Sequence, residues 1–342
     1  MLLTFDFHNH SCLSPCARLE NSPENMVERA LVARIDLFAI TDHNSALNAP
    51  AFAIACARAC RRTSGYGPLP EVEAMSAPAH DNSRYAAEPI PLFGLELSPF
   101  EEAHLLVLFP DPLAALSFSD CVRHYLPERA VDSLRFGDQV AVDPEGVILS
   151  MPSAWYGNPL RETFKFFAEA GARAGALVIP AHVDRAQFSV YSQLGFLPEG
   201  PYDAIEAVGR EPDASLRLDH CVISGSDAHI LEHIGRRSSA LELEDTDENL
   251  AMLDSLRKRL ARLAEVWENA RGGGAMADCS SREAEASICA EGVSTKIPDM
   301  APLVEFLAAW YPRAESLALF EKLRGALRSR RAWGSHERPR AV

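Results

Sequence analysis

Residues 2 to 44 constrain the fold more than any other stretch. "LLTFDFH" is an apolar run of strand character. "PENMVERALVARI" carries apolar residues at helical spacing and is entered at Ser22 and Pro23, and "DLFAITDHN" is a second apolar run. The order strand, helix, strand implies parallel strands joined by a crossover helix. The alternation continues through helix "APAFAIACARACRR", strands "IPLFGLEL" and "AHLLVLF", and helix "RETFKFFAEAGARAG". Strands "ALVIPAHV", "DAIEAVG", "HCVISGSDAH" and "SSALELE" follow. Such repetition predicts an α/β protein, either a (β/α) barrel or a doubly wound sheet.

Two stretches interrupt the rhythm. Residues 64 to 88 are rich in Gly, Pro, Ser and Ala without a period, so a long loop is expected there. Residues 127 to 160 are weakly periodic, and a small hairpin insert is expected. A long charged helix, "TDENLAMLDSLRKRLARLAEVWENAR", ends at Gly272 to Gly274. Three parts result: a domain over 1–271, a Gly-, Ser- and Ala-rich linker over 272–296, and a helical extension over 297–342. The extension holds two amphipathic helices, suited to docking on the main domain or to binding a partner.

A composition that is 47% hydrophobic supports a large core. No basic leader precedes Asp6 and no window approaches a membrane-spanning length, so a cytoplasmic protein without membrane association is expected. Eight cysteines in 342 residues then fit thiols or metal ligands better than a disulfide framework. The net charge of −15 repels long polyanions but not small anionic substrates.

His8, His10, His43, His104, His182 and His229 lie at the edges of apolar strands, most of them at C-terminal ends, where parallel α/β folds place function. Residues two apart in a strand share a face, so His8 and His10 point the same way, as do Asp227 and His229. Glu96 closes "LFGLEL" with no evident packing role. A carboxylate among several imidazoles suits a cluster of divalent metals. Cys12 and Cys16, four apart, are open to reading as a zinc clip, a disulfide or part of something larger.

The motifs "DFHNHS", "ITDHN", "GLEL", "HLLVLF", "PAHVDR" and "SGSDAH" resemble, in order and position, those of the polymerase and histidinol phosphatase (PHP) family of metal-dependent phosphoesterases, over roughly residues 1 to 245. The resemblance implies a distorted (β/α)7 TIM-like barrel carrying two or three zinc, manganese or iron ions at the C-terminal strand ends. By position, His8, His10, Glu96 and Asp227 would hold a first metal, and Glu96, bridging, would join His104 and His182 on a second. His43 and His229 would hold a third. The remaining ligand of that third site is usually His or Asp in the family, and here the matching position is Cys16. Cys12 is then a small core residue.

The expected reaction is hydrolysis of a phosphoester by metal-activated hydroxide, with Glu96, Asp227 and His229 at the catalytic centre. The substrate class is a small phosphorylated metabolite or nucleotide. Two alternatives are a nuclease for short oligonucleotides and a non-catalytic, metal-stabilised regulatory module. Arginines near the motifs offer planar, bidentate phosphate contacts, with Arg18 and Arg185 ahead of Arg236 and Arg237. Asp6 and Asp42 either orient imidazoles or satisfy local backbone donors. His80 is expected as an ordinary loop residue, His124, His220, His233 and His336 carry no motif, and Cys56 with Cys60 belongs to a helix's core face.

Overall fold

The computed structural model describes residues 1–65, 88–130, 132–209, 220–272 and 300–334. Most of the expected loop over 64–88, including His80, lies outside the described residues, as do most of the expected linker and His336.

Seven strands form one mixed sheet in the order β11 (Ala332–Gly334), β10 (Ser239–Glu242), β1 (Leu2–Asp6), β2 (Leu37–His43), β3 (Ile90–Leu97), β4 (Leu105–Phe109) and β7 (Leu177–Pro180). Helix α1 (Pro23–Val32) makes the first crossover. Ser22 caps it by accepting the Asn25 N–H, Pro23 supplies a preset φ, and Met26, Val27 and Ala30 face the core. Helix α2 (Ala49–Gly65) makes the second, so β1, β2 and β3 run parallel.

Beyond β3 the all-parallel pattern breaks. Only Ser98 to His104 separate β3 from β4, too few residues for a crossover helix, so β4 returns antiparallel and β7 pairs antiparallel with it. Helices α3 (Pro112–Arg123) and α5 (Phe164–Arg173) flank this part. The short helix α4 (Ser133–Phe136) and the hairpin of β5 (Ala141–Val142) and β6 (Ile148–Ser150) lie between them, where an insert was expected.

The sheet curls toward closure through two short strands, β8 (Ile205–Glu206) and β9 (Val222–Ile223), which pair in parallel. Asp203 N–H bonds to the Val178 carbonyl at 2.9 Å and Val183 N–H to the Glu206 carbonyl at 2.8 Å, joining β7 to β8. On the far side Asn9 bridges Ala228 in parallel, with His10 N–H on the Ala228 carbonyl at 2.9 Å. The result is a distorted α/β barrel. The strand expected over "HCVISGSDAH" is reduced to two residues because side chains capture its later amides. Ser239 Oγ accepts from Ser224 N–H at 2.6 Å and Asp6 Oδ1 from Ser226 N–H at 2.9 Å.

The core is built from aromatic contacts that cross element boundaries. Phe38, Phe52, Phe93 and Tyr311 meet edge to face in succession, with centroids 5.7, 5.8 and 5.7 Å apart. Cys56 and Cys60 are buried on α2, as its apolar face requires. Tyr311 belongs to the C-terminal segment, whose helices α6 (Ala301–Trp310) and α7 (Arg313–Arg328) dock on the barrel. Its Oη donates to the Pro110 carbonyl at 3.2 Å, and Arg328 pairs with buried Asp203 at 2.7 Å. The segment also ends in β11, a strand that no sequence pattern signalled, paired antiparallel with β10.

Gly94 marks the tightest approach in the sheet. A Cβ there would lie 2.6 Å from Leu108 Cδ2 and 2.7 Å from the Val107 carbonyl oxygen. Gly94→Ala is therefore expected to lower the unfolding free energy by about 1–3 kcal/mol, read by urea denaturation.

Candidate metal centre

The two histidines of "HNH" share a face because they sit two apart in extended backbone, and the Asn between them holds the strand in place. Asn9 donates from Nδ2 to the Ala39 carbonyl at 3.2 Å, and its N–H reaches Thr41 Oγ1 at 3.1 Å, stitching β1's extension to β2. His8 and His10 are thereby both fully buried inside the barrel mouth. His43 and Glu96 end neighbouring strands in register, since β2 pairs with β3 at His43 and Glu96. His104 precedes β4, and His182 follows β7.

Glu96 sits at the centre. Its carboxylate oxygens lie 3.2 Å from His8 Nε2, 3.2 Å from His10 Nε2, 3.1 Å from His43 Nδ1, 2.8 Å from His104 Nδ1 and 3.0 Å from His182 Nε2. Asp227 Oδ1 is 3.5 Å from His8 Nε2 and 3.3 Å from His10 Nε2, and 3.6 Å from His229 Nδ1. Candidate ligand atoms gather into four overlapping groups, each with its members within 4.8 Å of one another. These are His8, His10 and Asp227; His8, Glu96 and His182; His43, Glu96 and His104; and His10, Cys16, His43 and His229. All nine positions singled out as candidate ligands are thus brought together, Cys16 among them.

The hydrogen bonds behind the imidazoles set their tautomers. Ser14 donates its one O–H to Asp42 Oδ1 at 2.6 Å, so toward His10 Nδ1, 3.0 Å away, it acts as acceptor. His10 Nδ1 therefore carries a hydrogen, and Nε2 is the nitrogen that faces the centre. His229 Nδ1 likewise donates to the Asp227 carbonyl at 3.0 Å, and His8 Nδ1 to Glu206 Oε2 at 2.9 Å. His8 Nε2, His10 Nε2, His43 Nδ1 and His182 Nδ1 are buried without a hydrogen-bond partner among the described residues. Buried nitrogens of this kind are costly unless something else satisfies them.

Electrostatics points the same way. Burial opposes charge on His8, yet the carboxylates of Glu206, Glu96 and Asp227 outweigh it and hold His8 well above its ordinary range. His10 rises to about 9, with burial again opposed by Asp227 and Glu96. Glu96 is held well below the carboxylate range because, against its burial, His104, His8 and His43 favour the anion. The centre therefore attracts positive charge. Divalent cations, which bind bare imidazole nitrogen and carboxylate oxygen together, fit this donor set. Burial and neighbouring His10 lower His229 to about 4, leaving its lone pair free near neutral pH. The surrounding protein and the charges of Glu96 and Asp227 push the Cys16 thiol upward, so thiolate forms there once positive charge arrives.

Two ligand candidates sit on left-handed backbone, His182 at φ 32° and Asp227 at φ 47°, a conformation that costs a non-glycine residue energy. The supporting residues sort as follows. Asp42 meets no imidazole directly and acts on His10 through Ser14, while Asp6 satisfies backbone amides of Ser226 and Gly235. Arg185 pairs with Asp227 Oδ2 at 2.6 Å. Arg18 is exposed beside the centre, its N–H on the His229 carbonyl at 3.1 Å. Arg236 is committed to the turn itself, donating to the Ser226 and Asp227 carbonyls at 2.9 and 3.3 Å, so it does not stand free as a phosphate clamp. Phe188, from the stretch after "PAHVDR", stacks on His104 with centroids 5.0 Å apart. Glu206, which contacts His8, carried no sequence signal, for it falls mid-run in "DAIEAVG".

No family model matches the chain and no curated protein matches it. Among solved structures, the chain is similar to the lesion-specific endonuclease PfuEndoQ of Pyrococcus furiosus, at 18% identity and a TM-score of 0.45, over 76% of this chain and 56% of that one. The chain thus spans 56% of the endonuclease's length. It is also similar to a putative metal-dependent phosphoesterase of Bifidobacterium adolescentis, at 17% identity and a TM-score of 0.37, over 66% of this chain and 87% of that one. A third likeness is to an amidohydrolase of Chromobacterium violaceum, at 17% identity and a TM-score of 0.39, over 70% of this chain and 92% of that one.

Proposed function

We propose that this protein is a metal-dependent phosphoesterase acting on a small phosphorylated metabolite or nucleotide. The observation that supports this reading above others is the convergence of six imidazoles on two carboxylates, with buried nitrogens facing inward unsatisfied. In this reading His8, His10, Glu96 and Asp227 hold a first cation, Glu96 joins His104 and His182 on a second, and His43, His229 and Cys16 hold a third. Bound divalent ions of zinc, manganese or iron supply Lewis acidity, acidifying water and neutralising charge on a phosphate.

The chain's own residues do the rest. Glu96 and Asp227 keep negative charge at the centre. His229 keeps its Nδ1 hydrogen on the Asp227 carbonyl, which leaves its other nitrogen as the donor toward the third cation. Arg185 and Arg18 bind non-reacting phosphate oxygens, and the guanidinium plane of Arg185 orients the ester against Asp227. A net charge of −15 disfavours long nucleic acids as substrates. No described helix is long and apolar enough to cross a membrane.

The test is elemental analysis followed by turnover. Purified protein is expected to carry at least two transition-metal equivalents and to release p-nitrophenol from p-nitrophenyl phosphate. Chelation should abolish that release and metal addition restore it. Metal-loaded protein that leaves p-nitrophenyl phosphate and a panel of phosphorylated metabolites intact would sink the reading.

A further inference from the structure

We propose that Glu206 is the positioning residue that sets two metal ligands at once, His8 through its side chain and His182 through its backbone. The inference rests on the metal reading above. It concerns a residue outside all four ligand groups.

Glu206 lies in β8, which pairs with β9 beside the seam to β1's extension, and is 1% exposed. Among the described residues it meets no lysine or arginine, and its ion-pair partner is His8. A carboxylate buried this deeply has to be hydrogen-bonded to persist. Its oxygens lie 2.9 and 3.2 Å from His8 Nδ1, and Oε2 also accepts the His182 N–H at 2.9 Å. A carboxylate only accepts, so His8 must carry a hydrogen on Nδ1, which leaves Nε2 as the atom it presents toward Glu96 and Asp227, the nitrogen that would bind a cation. The corresponding nitrogens of two other ligand candidates rest on weaker partners, a hydroxyl for His10 and a backbone carbonyl for His229.

The second contact addresses the backbone. His182 adopts φ 32°, and its amide is one that a regular strand would have given to a neighbour. The charge-assisted bond to Glu206 offsets part of that conformational cost and fixes where the imidazole emerges. Val183 N–H on the Glu206 carbonyl at 2.8 Å secures the same junction from the backbone side.

The space is shaped for this carboxylate. A Cβ on Gly225 would come within 2.2 Å of Glu206 Oε1 and 2.7 Å of His8 Cβ, so only glycine lets the pair form. Three strands thus meet at one contact: β1's extension with His8, the end of β7 with His182, and β9's end with Gly225.

The test compares Glu206→Gln and Glu206→Ala with the full-length parent. Zinc dissociation constants are measured by chelator competition, and the His8 ring by nitrogen-15 NMR of zinc-loaded protein. Gln keeps the volume and an acceptor but loses the charge, so about 10-fold weaker zinc binding is expected, and about 100-fold for Ala. In the parent, His8 should show a protonated Nδ1 with a slowly exchanging hydrogen, and in Glu206→Ala that hydrogen should exchange freely. If Ala does not fold, the Gln variant alone carries the comparison. Parent-like zinc affinity and an unchanged His8 signal in the Gln variant would overturn the proposal while leaving the metal reading intact. A parent that binds no zinc would overturn both.

Discussion

Glu96→Gln is expected to reduce phosphoester turnover by about 1,000-fold, equivalent to ~4 kcal/mol of transition-state stabilisation, and to remove at least one metal equivalent per chain. Gln keeps the shape of Glu96, so the loss would come from charge and lone pairs. Five imidazoles lie within 3.2 Å of the Glu96 oxygens, and two of the proposed cation sites share it. An amide presents one acceptor where the carboxylate presents two, and its NH2 group faces bare nitrogens without neutralising any cation. Elemental analysis and p-nitrophenyl phosphate turnover on the same preparation check both halves. A variant that retains full metal content and full rate would show that Glu96 merely fills space.

Deleting residues 297 to 342 is expected to abolish cooperative folding. Leu303, Val304, Phe306, Leu307, Leu319, Phe320, Leu323 and Leu327 are all buried, and each contributes about 1.5–3 kcal/mol through apolar burial. Their combined effect is comparable with the whole net stability of a typical domain, about 5–15 kcal/mol. The same deletion would strip β11 from β10 and expose the Trp267 edge that meets Phe306 at 4.9 Å. Thermal unfolding followed by circular dichroism, with a dye that reports exposed apolar surface, checks this. A truncated chain that melts in one sharp transition near the parent temperature would mean that the helices only decorate the barrel.

The strand-end histidines were legible because spacing alone decides which residues of an extended segment share a face. Glu96 was legible because a carboxylate after six apolar residues has no packing reason to be there. What escaped was whatever depends on partners distant in sequence. Glu206 sits in a two-residue strand and meets His8 at a separation of 198 residues, which no local period encodes. Ser14 reads as an ordinary loop serine, and only its bonds to His10 and Asp42 give it a role. The direction of β4 was readable in principle, since the connection from β3 has no room for a helix, yet apolar runs look alike whichever way they point. Strand β11 is three residues long and becomes a strand only because β10 offers it an open edge.

The left-handed backbone at His182 and Asp227 has a consequence for anyone selecting hardier forms of this protein. Glycine at either position would relieve roughly 1–2 kcal/mol of conformational cost, and it would delete a candidate ligand in the same stroke. A library screened by heat alone would therefore enrich substitutions that empty the barrel mouth of its chemistry. Resistance and competence have to be selected together here, because at these two residues they are opposed.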